Sequence, residues 1–370
     1  MRKVAVIGVG LHRYGKWDNK TSYSLAKEAI DGALKTSNLK WNQIQSGWCG
    51  HIGQGMTAGA RLFLQYGKTG LSITNVENAS ASGSYAFRGA YLEVASGEFD
   101  IALALGIDKR HRSLLKGKKS RDSNKVKKPT PVIQKFAKDA RNHMKKYGTT
   151  VDQLAMVSVK NHYNGSLNRY AQFQEEITIE DVHNAPMMDD PLTILHCTST
   201  SDGAAACILA SEDVVKQMGI INPVWVAVSV SKSEFDPKQD PRNITAVTAR
   251  EAYKRVGIEP SDLGLVELHD AFTIEEIFFS EQLGLCPIGE GGKLVEEGAT
   301  AINGRIPINT SGGLLAMGHP IGPTGIGQIA EVYWQMRGEA GKRQIPTPPK
   351  YALTHMIGFG GTCIIHIFSR

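Results

Sequence analysis

The chain has 370 residues, a formal net charge of +6, 41% hydrophobic residues and 21% charged residues, the composition of a globular protein with a large core. No apolar run approaches the roughly 20 residues of a membrane span, and the apolar N-terminus lacks a small-residue cleavage site, so we expect a cytoplasmic protein without a membrane contact. The five cysteines form no C-x-x-C pair, so we expect neither a metal site nor a disulfide framework.

Short apolar runs and helical patterns alternate along the chain. Six runs are typical of buried strands: Val4–Val9, Ile101–Gly106, Ala205–Leu209, Val224–Val230, Leu263–Leu268 and Ile364–Phe368. Four stretches have helical periodicity: Ser22–Leu34, Ala86–Ala95, Ala246–Val256 and Ile326–Arg337. This alternation predicts an α/β protein with largely buried sheets.

A basic, proline-containing stretch interrupts the alternation between about residues 109 and 190. Its polar helical segments predict an inserted subdomain that covers a ligand. The chain then divides into an N-terminal half, 1–240, which contains the insertion, and a C-terminal half, 241–370. The positive charge concentrates between Lys109 and Lys146, which suits a phosphate-bearing or other polyanionic ligand. A solvated surface loop is the alternative interpretation of the same charges.

Glycine clusters mark four loops where a backbone could approach a ligand closely. The four loops are Ser82-Gly83-Ser84, Ser311-Gly312-Gly313, Gly318-His319-Pro320-Ile321-Gly322-Pro323-Thr324-Gly325 and Ile357-Gly358-Phe359-Gly360-Gly361. A fifth candidate, Gly8-Val9-Gly10, follows a strand but does not complete the G-x-G-x-x-G pattern of dinucleotide-binding proteins.

The order of these motifs resembles the thiolase superfamily, in its sterol-carrier-protein or archaeal type. The segment from Val76 to Ser84 resembles the nucleophile loop V-E-x-A-C-A-S-G, and Ser201 to Ala206 resembles S-D-G-A-A-A. His269-Asp270-Ala271-Phe272 is similar to H-D-C-F, Gly318-His319-Pro320 to G-H-P, and Gly358-Phe359-Gly360-Gly361 to the closing glycine loop. The likeness covers nearly the whole chain.

That resemblance implies a five-layered αβαβα fold of two similar halves, commonly as a homodimer, and coenzyme A (CoA) as substrate or product rather than as a permanently bound cofactor. The phosphates of CoA would suit the basic stretch, with Lys116, Lys118 and Lys119 as candidate contacts, and the 311–312 loop, Ser311 and Gly312, is a further candidate. Such relatives often work with a small zinc-ribbon/OB-fold partner protein. No nucleic acid is expected as a partner.

The resemblance also implies site residues, with one departure. Ser80 stands at the position of the nucleophilic cysteine, whereas Ala271 and Met356 stand at the two customary positions of the second catalytic cysteine. His319 matches the histidine that activates the nucleophile, and His269 the Asn or His of an oxyanion hole. The N–H groups of Ser80 and Gly358 would form a second oxyanion hole. His355 is an additional candidate acid or base.

Three functions remain open from the sequence. The first is a thiolase-type acyltransferase that makes or breaks a 3-oxoacyl-CoA. The second is a retro-aldol lyase that cleaves a 3-hydroxyacyl-CoA without a covalent acyl-enzyme. The third is a non-catalytic CoA-binding subunit. Ser80 itself has three interpretations: a nucleophile, a spectator whose N–H matters more than its hydroxyl, or an engineered Cys→Ser replacement.

Overall fold

The computed structural model describes residues 1–110, 130–235, 243–359 and 361–370. The strands are β1 (Val4–Gly15), β2 (Ser46–His51), β3 (Ser72–Val76), β4 (Ile101–Asp108), β5 (Met187–Asp189), β6 (Leu192–Thr193), β7 (Asp202–Ser211), β8 (Val224–Ser233), β9 (Leu263–Glu267), β10 (Tyr351–Gly358) and β11 (Thr362–Ser369). The helices are α1 (Ser22–Ser37), α2 (Ala58–Tyr66), α3 (Ser82–Ser96), α4 (Pro131–Tyr147), α5 (Val151–Ser166), α6 (Ile179–Asn184), α7 (Glu212–Gln217), α8 (Ile244–Val256), α9 (Thr273–Gln282), α10 (Gly291–Glu296), α11 (Gly313–Ala316) and α12 (Thr324–Arg337).

Nine strands form one hydrogen-bonded order, β3-β2-β4-β7-β1-β8-β11-β10-β9. The first five strands lie within residues 4–211 and the last four within residues 224–369, so β8 pairs with the C-terminal strands although it precedes the predicted boundary at residue 240. Among the described residues, the strands of the two groups are joined by the short antiparallel pairing of Ala5 with Trp225 and Val6 with Val224. The large sheet therefore consists of two groups of strands that are joined at the β1–β8 pairing.

Helices lie on both faces of these two groups of strands. Helices α3 and α12 pack on one another, with α3 against β2, β4 and β7 and α12 against β10. Helices α1 and α2 cover the other side of the N-terminal strands, and α8 packs on β8 and β11. The resulting succession of helix, sheet, helix, sheet, helix confirms the predicted five-layer α/β architecture.

Strand β1 packs very closely on α1. A Cβ atom built on Gly10 would lie 2.2 Å from the Ala29 carbonyl oxygen, and one built on Gly8 would lie 2.4 Å from the Ala33 oxygen. These glycines therefore permit a strand–helix contact that no side chain would allow. Close packing on α1 therefore accounts for the two glycines of this Gly-x-Gly pair, and a dinucleotide-binding site is not needed to explain them.

The insertion between β4 and β7 packs on the C-terminal half. Helix α4 begins at Pro131, with the Thr130 hydroxyl accepting the Ile133 N–H as an N-cap. Helix α5 contacts α9, α10 and α11, and β5 pairs with β6 in a small antiparallel sheet. The insertion thus lies beside the end of the molecule that carries the glycine loops. Among the described residues, no helix is long and apolar enough to cross a membrane.

Candidate active site

Ser80 lies in the short loop between β3 and α3. Ala79, just before it, has a left-handed φ of 47°, which turns the chain sharply. The turn is held by the Ser82 hydroxyl, which donates to the Ala79 carbonyl at 2.6 Å and accepts the Asn78 N–H at 2.9 Å. Ser80 is half-buried and precedes the N-terminus of α3, where the helix dipole favours negative charge.

The loop before α12 brings His319 to Ser80. The Nε2 atom of His319 lies 3.0 Å from Ser80 Oγ, and its Nδ1 atom lies 2.8 Å from Thr324 Oγ1. The Thr324 hydroxyl donates its single proton to the Pro320 carbonyl at 2.7 Å. It therefore accepts from His319 Nδ1–H, which leaves the Nε2 lone pair to accept the Ser80 proton.

The environment of His319 keeps its ring neutral. Burial lowers the pKa of His319 well below 6.5, and the neighbouring His269 and Arg110 lower it further. The backbone N–H of His319 donates to Ser201 Oγ at 3.1 Å, which fixes the loop. A neutral imidazole that is hydrogen-bonded to a hydroxyl is the arrangement that activates a serine nucleophile.

His269 lies beyond the end of β9, beside His319. The two ring centroids are 5.6 Å apart and the rings are perpendicular. His269 Nδ1 lies 3.3 Å from Glu275 Oε1, and Glu275 Oε2 accepts the Phe272 N–H at 3.0 Å. The structure therefore places His269 beside His319, which contacts Ser80.

Asp270 anchors the loop that carries His269. Its carboxylate accepts from Asn161 Nδ2 at 2.7 Å and from the Leu314 N–H at 2.7 Å. Burial and the nearby Glu276 raise its pKa well above the ordinary value. Asn161 belongs to α5, so this buried network ties the insertion to the site.

Gly358 lies against the Ser80 loop. A Cβ atom on Gly358 would lie 2.6 Å from the Asn78 carbonyl oxygen and 3.4 Å from Ala81 Cβ. Met356 is buried in a cluster with Ala81 and Ile364. Met356 and Ala271, at the two customary positions of a second cysteine, carry no acid or base group.

His355 contacts α8 and α9. Its Nε2 atom lies 3.1 Å from Thr245 Oγ1 of α8, and its ring contacts Phe279 of α9 edge-on at 4.5 Å. Burial lowers the pKa of His355 well below 6.5, and the charge of the nearby His269 lowers it further. No described contact joins it to Ser80 or His319.

Of the five residues predicted to contact CoA, the structure describes two. Ser311 donates its hydroxyl to Glu267 at 2.6 Å, and Gly312, with φ 103°, packs against Gly165 of α5. Their assignment to CoA stays a prediction. Three more lie outside the described residues: Lys116, Lys118 and Lys119.

Sequence reasoning missed two positioning groups at this site, Thr324 and Glu275. Thr324 stands within the glycine loop that continues from G-H-P, five residues after His319, and Glu275 stands six residues after His269. Their distance along the chain from a histidine was a weak signal, because the conformation of the loop determines which side chain contacts the imidazole ring.

A cleft of about 410 Å³, lined by aromatic and by polar side chains, lies between α4 and the C-terminal half. Its wall includes Phe136, Phe278 and Phe279, and it reaches Glu275 and Ile357, the residue before Gly358. Phe136 also stacks on Phe272 with ring centroids 4.4 Å apart. In the described part of the chain, no group of three or more His, Cys, Asp or Glu residues is arranged to hold a metal ion.

Comparison with known proteins matches both halves of the chain. Residues 4–213 match the family model for the thiolase N-terminal domain, and residues 227–370 match that for the thiolase C-terminal domain-like family. An acetyl-CoA acetyltransferase of Methanothermobacter thermautotrophicus is 40% identical over 398 residues, covering 100% of each chain.

Two further relatives have names other than acetyl-CoA acetyltransferase. Sterol carrier protein 2 of Oryctolagus cuniculus is 36% identical, covering 99% of this chain and 72% of the relative. Benzoylsuccinyl-CoA thiolase subunit BbsB of Thauera aromatica is 37% identical, covering 97% and 95%.

Solved structures share the fold at low sequence identity. An Ltp2-ChsH2(DUF35) aldolase superimposes with a TM-score of 0.82 at 23% identity, over 98% of this chain and 97% of that one. Human mitochondrial 3-ketoacyl-CoA thiolase in complex with CoA gives 0.74 at 19% identity, over 100% and 98%. With both domain models matched and relatives aligned over its full length, the chain belongs to the thiolase family.

Proposed function

We propose that this protein makes or breaks a carbon–carbon bond in an acyl-CoA thioester, with Ser80 as the nucleophile of a thiolase-type acyl transfer. The observation that carries the proposal is the Ser80–His319–Thr324 chain, in which the tautomer of His319 leaves Nε2 free to take the Ser80 proton. A serine hydroxyl is a weak nucleophile unless such a base is in place. Relatives named acetyl-CoA acetyltransferase and benzoylsuccinyl-CoA thiolase support the substrate class.

In the direction of cleavage, Ser80 Oγ attacks C3 of a 3-oxoacyl-CoA while its proton moves to His319 Nε2. The C2–C3 bond then breaks, which leaves an acyl ester on Ser80 and the enolate of the shorter acyl-CoA. The enolate carbon takes up one proton and leaves as acyl-CoA. The thiol of free CoA then loses its proton and attacks the ester, the second acyl-CoA leaves, and His319 returns its proton to Ser80 Oγ. The thiol proton replaces the proton that the enolate carbon took up, so each turnover balances.

Negative charge develops on the C3 oxygen during this attack. Backbone N–H groups of Ser80 and Gly358 are the proposed donors, since Gly358 packs against the loop that carries Ser80. The N-terminus of α3 adds a favourable dipole. Removal of one such donor typically costs about 10²–10³ in kcat.

The acyl tail is proposed to occupy the cleft between α4 and α9. Its aromatic wall, with Phe136, Phe278 and Phe279, suits a bulky or aromatic acyl group. CoA itself would lie under the insertion, and contacts from Lys116, Lys118, Lys119, Ser311 and Gly312 remain predictions. No other cofactor is proposed.

A second candidate function is a retro-aldol cleavage of a 3-hydroxyacyl-CoA. Ala271 and Met356 favour it, because neither customary position of the second catalytic cysteine carries a thiol, and this reaction needs only a base for the hydroxyl and stabilisation of an enolate. His319, neutral and buried, would be that base. The covalent ester on Ser80 would then play no part.

Parallel assays separate the two reactions. The protein is incubated with 3-oxoacyl-CoAs plus CoA, and separately with 3-hydroxyacyl-CoAs, over short, branched and aromatic chains. Acyl transfer predicts two acyl-CoA products from the first panel, whereas aldol cleavage predicts an aldehyde or ketone from the second. Release of neither product, with the native partner proteins present, would contradict both reactions.

We also propose a homodimer and a small zinc-ribbon/OB-fold partner in the cytoplasm. The relative BbsB is named as a subunit, which supports assembly with another chain. Affinity purification from the native host, followed by mass spectrometry and light scattering, tests both. Recovery of this chain alone would contradict the partner, and a monomeric mass would contradict the dimer.

A further inference from the structure

His269 is buried beside one charged neighbour. The residue is 6% exposed, and its Nδ1 atom lies 3.3 Å from Glu275 Oε1. Both ring nitrogens are buried, and neither makes a hydrogen bond with a described residue. Most buried polar atoms in folded proteins have a hydrogen-bond partner, so Nε2, the nitrogen away from Glu275, is free to bind a ligand.

Glu275 is held so that it can orient this ring. Its side chain is buried in the first turn of α9, and its second oxygen accepts the Phe272 N–H at 3.0 Å. A carboxylate beside Nδ1 favours the tautomer with the proton on Nδ1. The lone pair is then on Nε2, so neutral His269 is a proton acceptor rather than the oxyanion donor that the sequence predicts.

Among the described residues, the two customary positions of the second cysteine carry no acid–base group. Ala271 and Met356 cannot exchange protons, and His319 is engaged with Ser80. His269 is the buried histidine next to it, with ring centroids 5.6 Å apart. We propose that His269, positioned by Glu275, is the acid–base group that moves the proton at C2 of the acyl-CoA, in place of the missing thiol.

This inference rests on the proposed acyl-CoA chemistry and defines one step of it. In the direction of bond formation, the C2 proton moves to His269 Nε2, and the C–H electron pair becomes the enolate conjugated with the thioester. The imidazolium is balanced by the Glu275 carboxylate. In the direction of cleavage, protonated His269 gives its Nε2 proton to the enolate carbon, and the proton lost by the incoming CoA thiol restores it. His269 is the catalytic residue of this step and Glu275 is a positioning residue.

Exchange of the C2 protons in D₂O isolates the step. Acetyl-CoA and propionyl-CoA are incubated with the protein, and deuterium at C2 is measured by NMR and mass spectrometry. The experiment is done in the wild-type chain and in Ser80→Ala, where no acyl ester can form, so exchange reports proton transfer alone. Acyl-CoA affinity is measured for each variant by calorimetry.

Two substitutions test the two roles. His269→Asn is expected to lower the exchange rate about 10²-fold or more, in the range of general acid–base catalysis. Glu275→Gln is expected to lower the exchange rate at saturating acyl-CoA about tenfold while the KM for exchange stays unchanged. A merely structural loss would instead weaken binding and rate together.

Glu281→Gln is the matched control, because Glu281 is a buried carboxylate on the same helix and lies 3.1 Å from His143. It should leave exchange unchanged. Exchange that survives His269→Asn, or falls equally in Glu281→Gln and Glu275→Gln, overturns the proposal. Absence of exchange in the wild-type chain, with or without binding of acyl-CoA, also overturns it. Exchange without any Ser80 ester overturns the proposed nucleophile and leaves the role of His269 standing.

Discussion

The hydroxyl of Thr324 decides which nitrogen of His319 carries the proton. It gives its own proton to the Pro320 carbonyl and so can only accept from Nδ1. The Ser80 hydroxyl consequently meets an unprotonated Nε2. The same logic of a third group that orients the base operates in serine hydrolase triads.

Replacing Thr324 should therefore slow acylation of Ser80. Thr324→Val removes the acceptor for Nδ1–H, and we expect a fall of about 10²-fold in kcat with little change in KM, since a wrong tautomer disables the base. Stopped-flow acylation kinetics measure the effect. Thr324→Ser, which keeps the hydroxyl, is the control, and equal loss in both variants would contradict the tautomer argument.

The pH dependence follows from the neutral state of His319. Because burial, with His269 and Arg110, lowers its pKa well below 6.5, the base remains unprotonated as pH falls through the ordinary histidine range. We expect kcat/KM for acyl transfer to stay level from about pH 8 down to about pH 6. A decline centred near 6.5 would show instead that His319 titrates normally.

From the order of the motifs we predict that Ser80, His269, His319 and Gly358 belong to one site. The structure brings Ser80, His319 and His269 together and places Gly358 against the Ser80 loop. The partners of the histidines could not be predicted, because Thr324 and Glu275 act through loop geometry. As an acid–base side chain, His355 was an equal candidate from the sequence, but its ring contacts Thr245 of α8.

Helix α4 connects the insertion to the site through one aromatic contact. Phe136 of α4 stacks on Phe272, which follows Ala271, at 4.4 Å between ring centroids. The same ring lines the cleft that we assign to the acyl tail. Movement of α4 would therefore alter the cleft and the loop that carries His269 together.

Shortening Phe136 should change acyl selectivity. We expect Phe136→Ala to reduce kcat/KM about tenfold for bulky aromatic acyl-CoAs, since an aromatic contact contributes about 0.5–1.5 kcal/mol, and to affect acetyl-CoA much less. Phe136→Leu, which keeps apolar bulk, should lie between. Steady-state kinetics over both substrates provide the measurement, and an equal loss for each would place the acyl tail elsewhere.

Strands that contain a continuous apolar run could be predicted from the sequence, whereas strands without such a run could not. Strands β4 and β7 are buried along their whole length and were predicted. Strand β3 at the sheet edge is half exposed, and β10 buries Thr354 and His355 among apolar residues. In these strands tertiary packing, rather than hydrophobic pattern, determines the conformation.

In the whole molecule, nine strands from both halves form a single hydrogen-bonded sheet. The connection is the two-residue pairing of β1 with β8, which no local pattern of the sequence reveals. Because the active site combines the loops after β3 and β9 with the loop before α12, Ser80 and its base come from opposite halves. Catalytic geometry therefore depends on how the halves pack.

Buried neutral histidines should make the fold sensitive to acid. Burial lowers the pKa of His196 from 6.5 to about 4, and its Nδ1 accepts the Thr193 N–H at 3.0 Å. Between these pH values the unfolded chain binds one more proton, so stability falls as pH falls, by about 3 kcal/mol in total for this group. Stability above pH 6.5 is unaffected.

Replacing His196 tests this linkage. His196→Asn offers an oxygen to the Thr193 N–H without a titrating group. The free energy of unfolding, measured in urea from about pH 4 to about pH 7, should then change less steeply, by about one proton. An unchanged slope would show that His196 does not contribute to the acid sensitivity.

The central claim is that Ser80 forms an ester with the acyl group, and intact-mass spectrometry tests it most directly. The protein is incubated with short, branched and aromatic acyl-CoAs, alongside Ser80→Ala and Ser80→Cys. An acyl adduct on the wild-type chain that maps to Ser80 and is absent from Ser80→Ala is the predicted result. An adduct on Ser80→Cys alone would show that the acyl-CoA reaches this position but the serine does not react. The covalent mechanism would then be wrong and the aldol cleavage would replace it.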